Sequence, residues 1–366
     1  MELAAETNLQ QPHVLNVMSS MDHEQLVFCQ DNQTGLKAII GIHNTTLGPA
    51  LGGTRMWAYE RLDDAVEDVL RLSRGMTFKA SIAGLNLGGG KAVIIGDARS
   101  LKNEALLRRF GKFVQSLNGK YITAEDVGMS TRDMEYIHAE TSFVTGLPEH
   151  LGGSGDPSPV TAYGVYMGMK ASAKFAYGSD SLAGKTVLVQ GAGHVGSYLI
   201  DNLIKEGAKV KVSDIFEDKI QAITRRQPAV EVVPADQVFT TNMDIFAPCA
   251  LGGILNNDSL AALRCDIVAG GANNQLKSEK IHGQAMLEKG MVYAPDFLIN
   301  SGGLINVNGE LEGYSKEAAM KKAEFIFDVC GSILTEARDT NTFSGNVAID
   351  FAQRRIDAIA GIRTRG

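Results

Sequence analysis

The sequence lacks nearly everything that would place it outside a cell or across a membrane. Cys29, Cys249, Cys265 and Cys330 are scattered through 366 residues with no CxxC pair. That spacing excludes a disulfide scaffold and a zinc ribbon, gives no metal to expect, and suits a reduced, cytoplasmic chain. No apolar run approaches the roughly 18 residues of a membrane span. The opening MELAAETNLQQPHVLNVMSS has acidic residues but neither the basic stretch nor the apolar core of a secretory signal. Positive charge is not in excess: 35 Lys and Arg against 42 Asp and Glu leave a net charge of -7, so neither nucleic acid nor an anionic membrane is an expected partner.

Length, glycine content and periodicity supply the positive signals. A chain of 366 residues with 40 glycines is long enough for two or three domains with ample cores. Leu62, Val66, Val69, Leu70 and Leu72 fall on one helical face, as do Leu106, Phe110, Phe113 and Leu117. KAVIIG and YITAED read as buried strands. Residues 146–160, GLPEHLGGSGDPSPV, read as an interdomain hinge. Beyond it KTVLVQG, AGHVGSYLIDNLIKEG and KVKVSD form a βαβ unit, followed by strand candidates DIFAPC, DIVAGG and MVYAPD and by a helical stretch from Tyr314. Strands alternating with helices predict an α/β chain containing a Rossmann-type doubly wound parallel sheet.

The βαβ unit carries GAGHVG, which sets Gly191, Gly193 and Gly196 between a strand and a helix, with Asp214 ending the next strand. In this context the glycines permit a tight turn, approach of a pyrophosphate and close helix–sheet packing, while the helix N-terminus attracts phosphate. The loop Gly191, Ala192, Gly193, His194, Val195 and Gly196 is therefore expected to hold a dinucleotide. Asp214 would accept from the ribose hydroxyls and repel a 2′-phosphate, favouring NAD over NADP. His194 reads as a solvated side chain.

NLGGGKAVIIG, residues 86–96, poses a second question. A phosphate loop would need a glycine at 85, a Ser or Thr at 92 and a following helix; Leu85, Ala92 and a strand stand there instead. Either something approaches the bare backbone of Gly88, Gly89 and Gly90, with Lys91 at a strand entrance, or this is a surface turn. Lys79, Lys91, Asp126, Asn273 and Asn274 all lie among apolar and glycine residues, where burial for structure alone would be costly. They suggest a site that binds a carboxylate and moves protons.

TTLGPALGGTRMW, GLNLGGGKAVIIGD, GKYITAEDVG, SPVTAYGV, DIFAPCALGGILN, AGGANNQL and YAPDFLINSGGLINV together resemble the glutamate/leucine/phenylalanine/valine dehydrogenase superfamily, most closely its leucine-specific members. The resemblance implies a substrate-binding and oligomerisation domain of α/β type over 1–147, completed by helices over about 336–366, and an NAD-binding Rossmann domain over 148–335. It also implies a homo-oligomer, an octamer, acting on a small amino acid. Matched block by block, the carboxylate-binding lysine is Lys79, the catalytic lysine Lys91 and the catalytic aspartate Asp126. Thr161 falls beside the nicotinamide amide, Asn273 near the substrate and nicotinamide ribose, and Gly52 among the substrate contacts.

On this resemblance the glycines before Lys91 let substrate and nicotinamide approach the backbone. A second cation and exclusion of water would lower the lysine's pKa. The family's side-chain pocket falls on Leu51, Ala124, Leu304 and Val307. All four are apolar, which favours leucine, valine and isoleucine over glutamate, and an aromatic amino acid is the alternative substrate. A hydroxy-acid dehydrogenase would pair an arginine with an acid–base histidine, and none surrounds the hinge. A non-catalytic NAD-binding regulator would have no use for Lys79, Lys91 and Asp126. Trp57 is expected in a core or an interface.

Overall fold

Short runs of Val, Ile and aromatic residues, broken by DNQTG and TTLGP, fold residues 25–57 into three strands in the computed structural model, which describes residues 13–363. β1 (Gln25–Asp31), β2 (Leu36–Asn44) and β3 (Ala50–Trp57) are joined by β4 (Gly88–Ile95) and β5 (Tyr121–Glu125) in the order β1-β2-β4-β3-β5. β2 runs antiparallel to both β1 and β4, whereas β3 is parallel to β4 and β5. The sheet is therefore mixed.

Its two faces are covered by different helices. α1 (His13–Met21) and α2 (Leu62–Ile82) lie on one: Val66, Val69 and Leu70 bury with Ile39 and Val93, and Val14, Val17, Met18 and Met21 pack against them. Part of the N-terminal segment thus belongs to this layer, and its first twelve residues lie outside the described ones. α3 (Glu104–Ser116) and α4 (Thr131–His138) bury Leu106, Phe110, Met134 and Ile137 with Ile40, Ile94 and Tyr121 of the other face. The Asn103 side chain caps α3 by accepting from Leu106 N at 3.0 Å. Residues paired across neighbouring strands point the same way. The pairs Leu51↔Gly89, Arg55↔Val93, Gly41↔Lys91 and Gly53↔Ala124 therefore place Leu51, Arg55, Lys91 and Ala124 on the face that α2 covers.

The second sheet is parallel throughout: β6 (Thr186–Gln190), β7 (Lys209–Ser213), β8 (Glu231–Val232), β9 (Ile245–Pro248), β10 (Ile267–Val268) and β11 (Val292–Tyr293), in the order β11-β10-β9-β6-β7-β8. Counted within the unit this is 3-2-1-4-5-6, the doubly wound dinucleotide-binding order, whose direction reverses between β6 and β9. Its helices are α5 (Ser158–Tyr177), α6 (His194–Glu206), α7 (Glu217–Arg226), α8 (Asn257–Ala262), α9 (Gln284–Glu288), α10 (Asp296–Ile299), α11 (Gly302–Glu312), α12 (Lys316–Ala323), α13 (Ile326–Thr340) and α14 (Ser344–Arg363). Met169, in the YGVYMGMK stretch, is buried core of α5.

The chain groups into two units, 1–153 with 358–366 and 154–357. The division at Gly153/Ser154 falls inside the glycine- and proline-rich stretch. The C-terminal residues group with the first unit only from Ala358, later than the expected 336, for a physical reason. Cys330 Sγ donates to Gly168 O at 3.8 Å, and Ser344 Oγ donates to Tyr293 O at 2.6 Å, tying α13 to α5 and the start of α14 to β11. No described helix is long and apolar enough to cross a membrane.

Candidate active site

The three glycines before Lys91 are neither a turn nor an open loop. They are the first residues of β4, and none has a positive φ. A Cβ on Gly88 would stand 2.1 Å from Asn44 O; on Gly89, 2.1 Å from Thr77 Oγ1 and 2.2 Å from Thr77 N; on Gly90, 2.7 Å from the Tyr121 ring. The bare backbone is filled by the protein itself, which corrects the expectation that it admits substrate and nicotinamide. Lys91 is the strand's fourth residue rather than its entrance.

That placement fixes Lys91 on the α2 face and buries it. Its Nζ donates to Asp126 Oδ2 at 2.6 Å, with side-chain exposures of 9% and 22%. Asp126 follows β5 directly. Arg55 Nε reaches the same Oδ2 at 3.2 Å, while its NH1 donates to Asp68 Oδ2 at 2.8 Å; Tyr59 O–H also donates to Asp68 Oδ2, at 2.6 Å. Burial pushes the Lys91 ammonium below its ordinary pKa against the pull of Asp126, and Arg55 adds to the lowering. Burial alone would raise Asp126, but Lys91 and then Arg55 outweigh it and hold the carboxyl below its usual range. A lysine whose charge is disfavoured, paired with a carboxylate, is an arrangement that can take and return protons.

Arg55 is the cation that Lys91 meets here, and sequence reasoning passed over it. The available signal was period two: Arg55 stands four residues after Leu51 on the same strand and so shares its face. Lys79 lies half-buried in the last turn of α2. Leu51 and Ala124 are buried on the Lys91 face. Gly52 points the other way, its carbonyl accepting from Tyr121 O–H at 2.6 Å. Trp57, expected in a core or interface, is 53% exposed in this chain.

In the second unit the glycines divide their tasks. Gly191 has φ +103°, and its Cβ would meet Ala250 at 2.9 Å; a Cβ on Gly196 would meet Gly191 O at 1.9 Å. Gly193 differs, since a Cβ there would meet nothing within 4 Å, and this residue N-caps α6. Open space before the N-terminus of a 13-residue helix, at the reversal point of the strand order, fits the pyrophosphate of a dinucleotide. His194 is exposed, as expected. Asp214 Oδ2 accepts from Ala192 N at 2.7 Å and Oδ1 from Phe216 N at 2.9 Å. The carboxylate pins the loop while keeping lone pairs for ribose hydroxyls.

Thr161 sits in the first turns of α5, its Oγ1 donating to Pro157 O at 2.9 Å. Asn273 is exposed, and its Oδ1 accepts from Asn300 Nδ2 at 2.7 Å. Asn300 is therefore a second residue that the motifs did not single out. Leu304 is buried and Val307 half-buried, one turn apart on α11.

Comparisons with known proteins agree with this architecture. Residues 23–143 match the Glu/Leu/Phe/Val dehydrogenase dimerisation domain, and 152–216 and 211–331 match the Glutamate/Leucine/Phenylalanine/Valine dehydrogenase domain. A leucine dehydrogenase of Thermoactinomyces intermedius is 54% identical over 351 residues, 96% of this chain and 95% of that one. A phenylalanine dehydrogenase of Lysinibacillus sphaericus is 48% identical over 320 residues, 86% of this chain and 84% of that one. The structure of L-tryptophan dehydrogenase from Nostoc punctiforme superposes with a TM-score of 0.85 at 41% identity, covering 95% of this chain and 99% of that one. With both units matched and relatives aligned along almost the whole length, the chain belongs to the Glu/Leu/Phe/Val dehydrogenase family of amino-acid dehydrogenases.

Proposed function

We propose that the protein oxidatively deaminates leucine, valine and isoleucine to 2-oxo acids and ammonium with NAD, and catalyses the reverse reductive amination. The observation that carries this reading is the 2.6 Å Lys91–Asp126 pair on a sheet face whose neighbours Leu51 and Ala124 are apolar and buried. Relatives named leucine dehydrogenase, about half identical over nearly the full chain, support the substrate class.

The Gly191–Gly196 loop would hold NAD, with Asp214 for its ribose and Thr161 and Asn273 for the nicotinamide end, and the bound cofactor would supply the acceptor for the hydride leaving the α-carbon. Lys79 binds the substrate carboxylate through a charge-assisted hydrogen bond. Asp126, kept ionised by Lys91 and Arg55, takes a proton from the substrate ammonium so that the nitrogen lone pair can form the iminium. Lys91, whose ammonium burial pushes below its ordinary pKa, acts in its deprotonated form to take a proton from water as the oxygen attacks that carbon. Asp126 returns a proton to the nitrogen, the C–N bond breaks as the carbinolamine oxygen forms the C=O bond, and the hydroxyl proton passes to the departing ammonia, which leaves as ammonium. Gly52 belongs with the substrate-binding residues in this reading.

Leu51 and Ala124 in the first unit offer no partner for a second carboxylate, nor do Leu304 and Val307 in the second, so burying a glutamate side chain against either pair would cost several kcal/mol. Steady-state kinetics followed at the reduced-nicotinamide band, with leucine, valine, isoleucine, phenylalanine, tryptophan and glutamate, test the assignment. Highest efficiency on a branched aliphatic amino acid is expected. Preference for glutamate overturns the pocket argument, and preference for an aromatic refutes only its size reasoning.

An octameric homo-oligomer accompanies this proposal, checked by sedimentation. The match of 23–143 to a dimerisation domain and the exposure of Phe28 and Trp57, 54% and 53%, support self-association. Unpaired thiols at Cys29, Cys249, Cys265 and Cys330 suit a cytoplasmic enzyme.

A further inference from the structure

We infer that Arg55 is a positioning residue for the proton-transfer pair: it holds the Asp126 carboxylate and keeps the charge around Lys91 balanced when the amine is neutral. The inference rests on the reading of Lys91 and Asp126 given above. Asp126 lies just beyond the end of β5, and its Oδ2 receives two cations, Lys91 Nζ at 2.6 Å and Arg55 Nε at 3.2 Å. An acceptor on a loop that bonded only Lys91, whose charge changes during turnover, would lose its anchor each time that lysine gave up its proton. Arg55 never gives up its charge, so it can serve as that anchor.

Arg55 is itself secured at its far end. Its NH1 donates to Asp68 Oδ2 at 2.8 Å, the oxygen that also accepts from Tyr59 O–H at 2.6 Å, and Arg71 NH2 stands 3.5 Å from Asp68 Oδ1. The charged groups therefore alternate as Lys91, Asp126, Arg55 and Asp68. They come from β4, the end of β5, β3 and α2, with Tyr59 from the β3–α2 connection and the exposed Arg71 at the edge. Lys79 lies on the same helix, 11 residues past Asp68 and so about 16 Å along its axis. With Lys91 neutral, one half-buried guanidinium bridges the two carboxylates. Without Arg55 that bridge is lost, and Lys91 would retain its proton to higher pH. The directions found for Lys91 and Asp126 agree, because Arg55 lowers both.

The test is the pH dependence of leucine oxidation by the full-length enzyme carrying Arg55→Gln, Arg55→Lys or Asp68→Asn, with NADH binding and the leucine KM measured in parallel. Arg55→Gln should lower kcat about 10- to 100-fold and move the alkaline rise of activity up by about one pH unit, leaving NADH binding unchanged. Arg55→Lys should restore most of the rate and the native inflection. Asp68→Asn removes an anion and should move the inflection the opposite way, to lower pH. Arg55→Gln within twofold of native kcat on an unshifted profile overturns the inference, as do Gln and Lys variants equally impaired with unshifted profiles. If Arg55→Gln does not fold, the other two decide: a displaced profile for Arg55→Lys, or an unmoved or raised inflection for Asp68→Asn, is equally fatal. Full turnover by Lys91→Ala would instead refute the site reading itself.

Discussion

The two glycine clusters of this chain look alike in sequence and serve opposite ends. In the first unit Gly88, Gly89 and Gly90 are closed, each Cβ position already occupied by Asn44, Thr77 or Tyr121. In the second, Gly191 and Gly196 are closed in the same way, but Gly193 opens onto empty space at the head of α6. A glycine whose missing side chain is replaced by protein is an element of packing. A glycine whose missing side chain is replaced by nothing leaves room for a ligand. The chemistry proposed for the first unit thus comes from the residue after the glycines, whereas in the second the bare backbone is itself the binding surface.

The sharpest way to break this contrast is Lys91→Ala. It should lower turnover by about 10² to 10⁴ while NADH binding, followed by nucleotide fluorescence, stays native. Loss of NADH affinity in this variant would mean that the two sets of residues do not divide chemistry from cofactor binding.

Paired alanine substitutions address the glycines directly. Gly89→Ala drives a methyl against the Thr77 backbone, which cannot swing aside, and should destabilise the fold by about 1–3 kcal/mol or more. Gly193→Ala should leave the thermal midpoint unchanged and weaken NADH binding. The reverse outcome, a stable Gly89→Ala enzyme with poor NADH affinity, would restore the view that the first cluster admits ligand.

Thr77, which fills the place of a Gly89 side chain, also bonds the buried His43, whose Nδ1 lies 2.8 Å from Thr77 Oγ1. Burial, and then His23, push the His43 imidazole down to about 4 from 6.5. Between those values the unfolded chain binds more protons than the folded one, so stability is present above pH 6.5 and is lost as pH falls toward 4. Urea unfolding should give a stability lower by about 2 kcal/mol at pH 5 than at pH 7.5, and His43→Gln should flatten that slope. A native slope in the variant would exclude His43 as its source.

The smallest effect concerns the open loop. Asp214→Ala combined with a neighbouring arginine should raise the NADP-to-NAD efficiency ratio about tenfold, or about 1.4 kcal/mol, by removing repulsion of a 2′-phosphate. Because Asp214 also holds Ala192 N, activity with both cofactors should fall. A native enzyme that already preferred NADP would contradict the reading of Asp214.

Much of the architecture was legible because it is written locally. The GAGHVG loop follows a strand and opens a helix within one short segment, and KAVIIG and YITAED are the short apolar runs of buried strands. The Lys91–Asp126 contact joins residues 35 apart in the chain, yet both stand in recognisable blocks. Period two puts Arg55 on the face of Leu51, but its ion pair was not legible, because its partner Asp126 lies 71 residues away and no local pattern announces a contact across two strands. The glycine run was misread for a related reason. Sequence reveals that side chains are missing, but only tertiary packing reveals what stands in their place. β8, two exposed residues at the sheet edge, carries too little periodicity to be seen at all.

Tyr121 bears on how this first sheet could change over evolution. Its ring occupies the space a Gly90 side chain would need, and its hydroxyl bonds the carbonyl of Gly52, whose own Cβ would strike Gly90 O at 1.7 Å. Gly52, Gly90 and Tyr121 therefore form a single steric unit drawn from three strands. Any one of them replaced alone meets an obstacle set by the other two: Ala at 90 needs a smaller ring at 121, and a smaller ring abandons the bond to 52. Viable sequence change at these positions must come in concerted steps, so a library that varies the residues singly will report all three as immutable when it is their combination that is constrained.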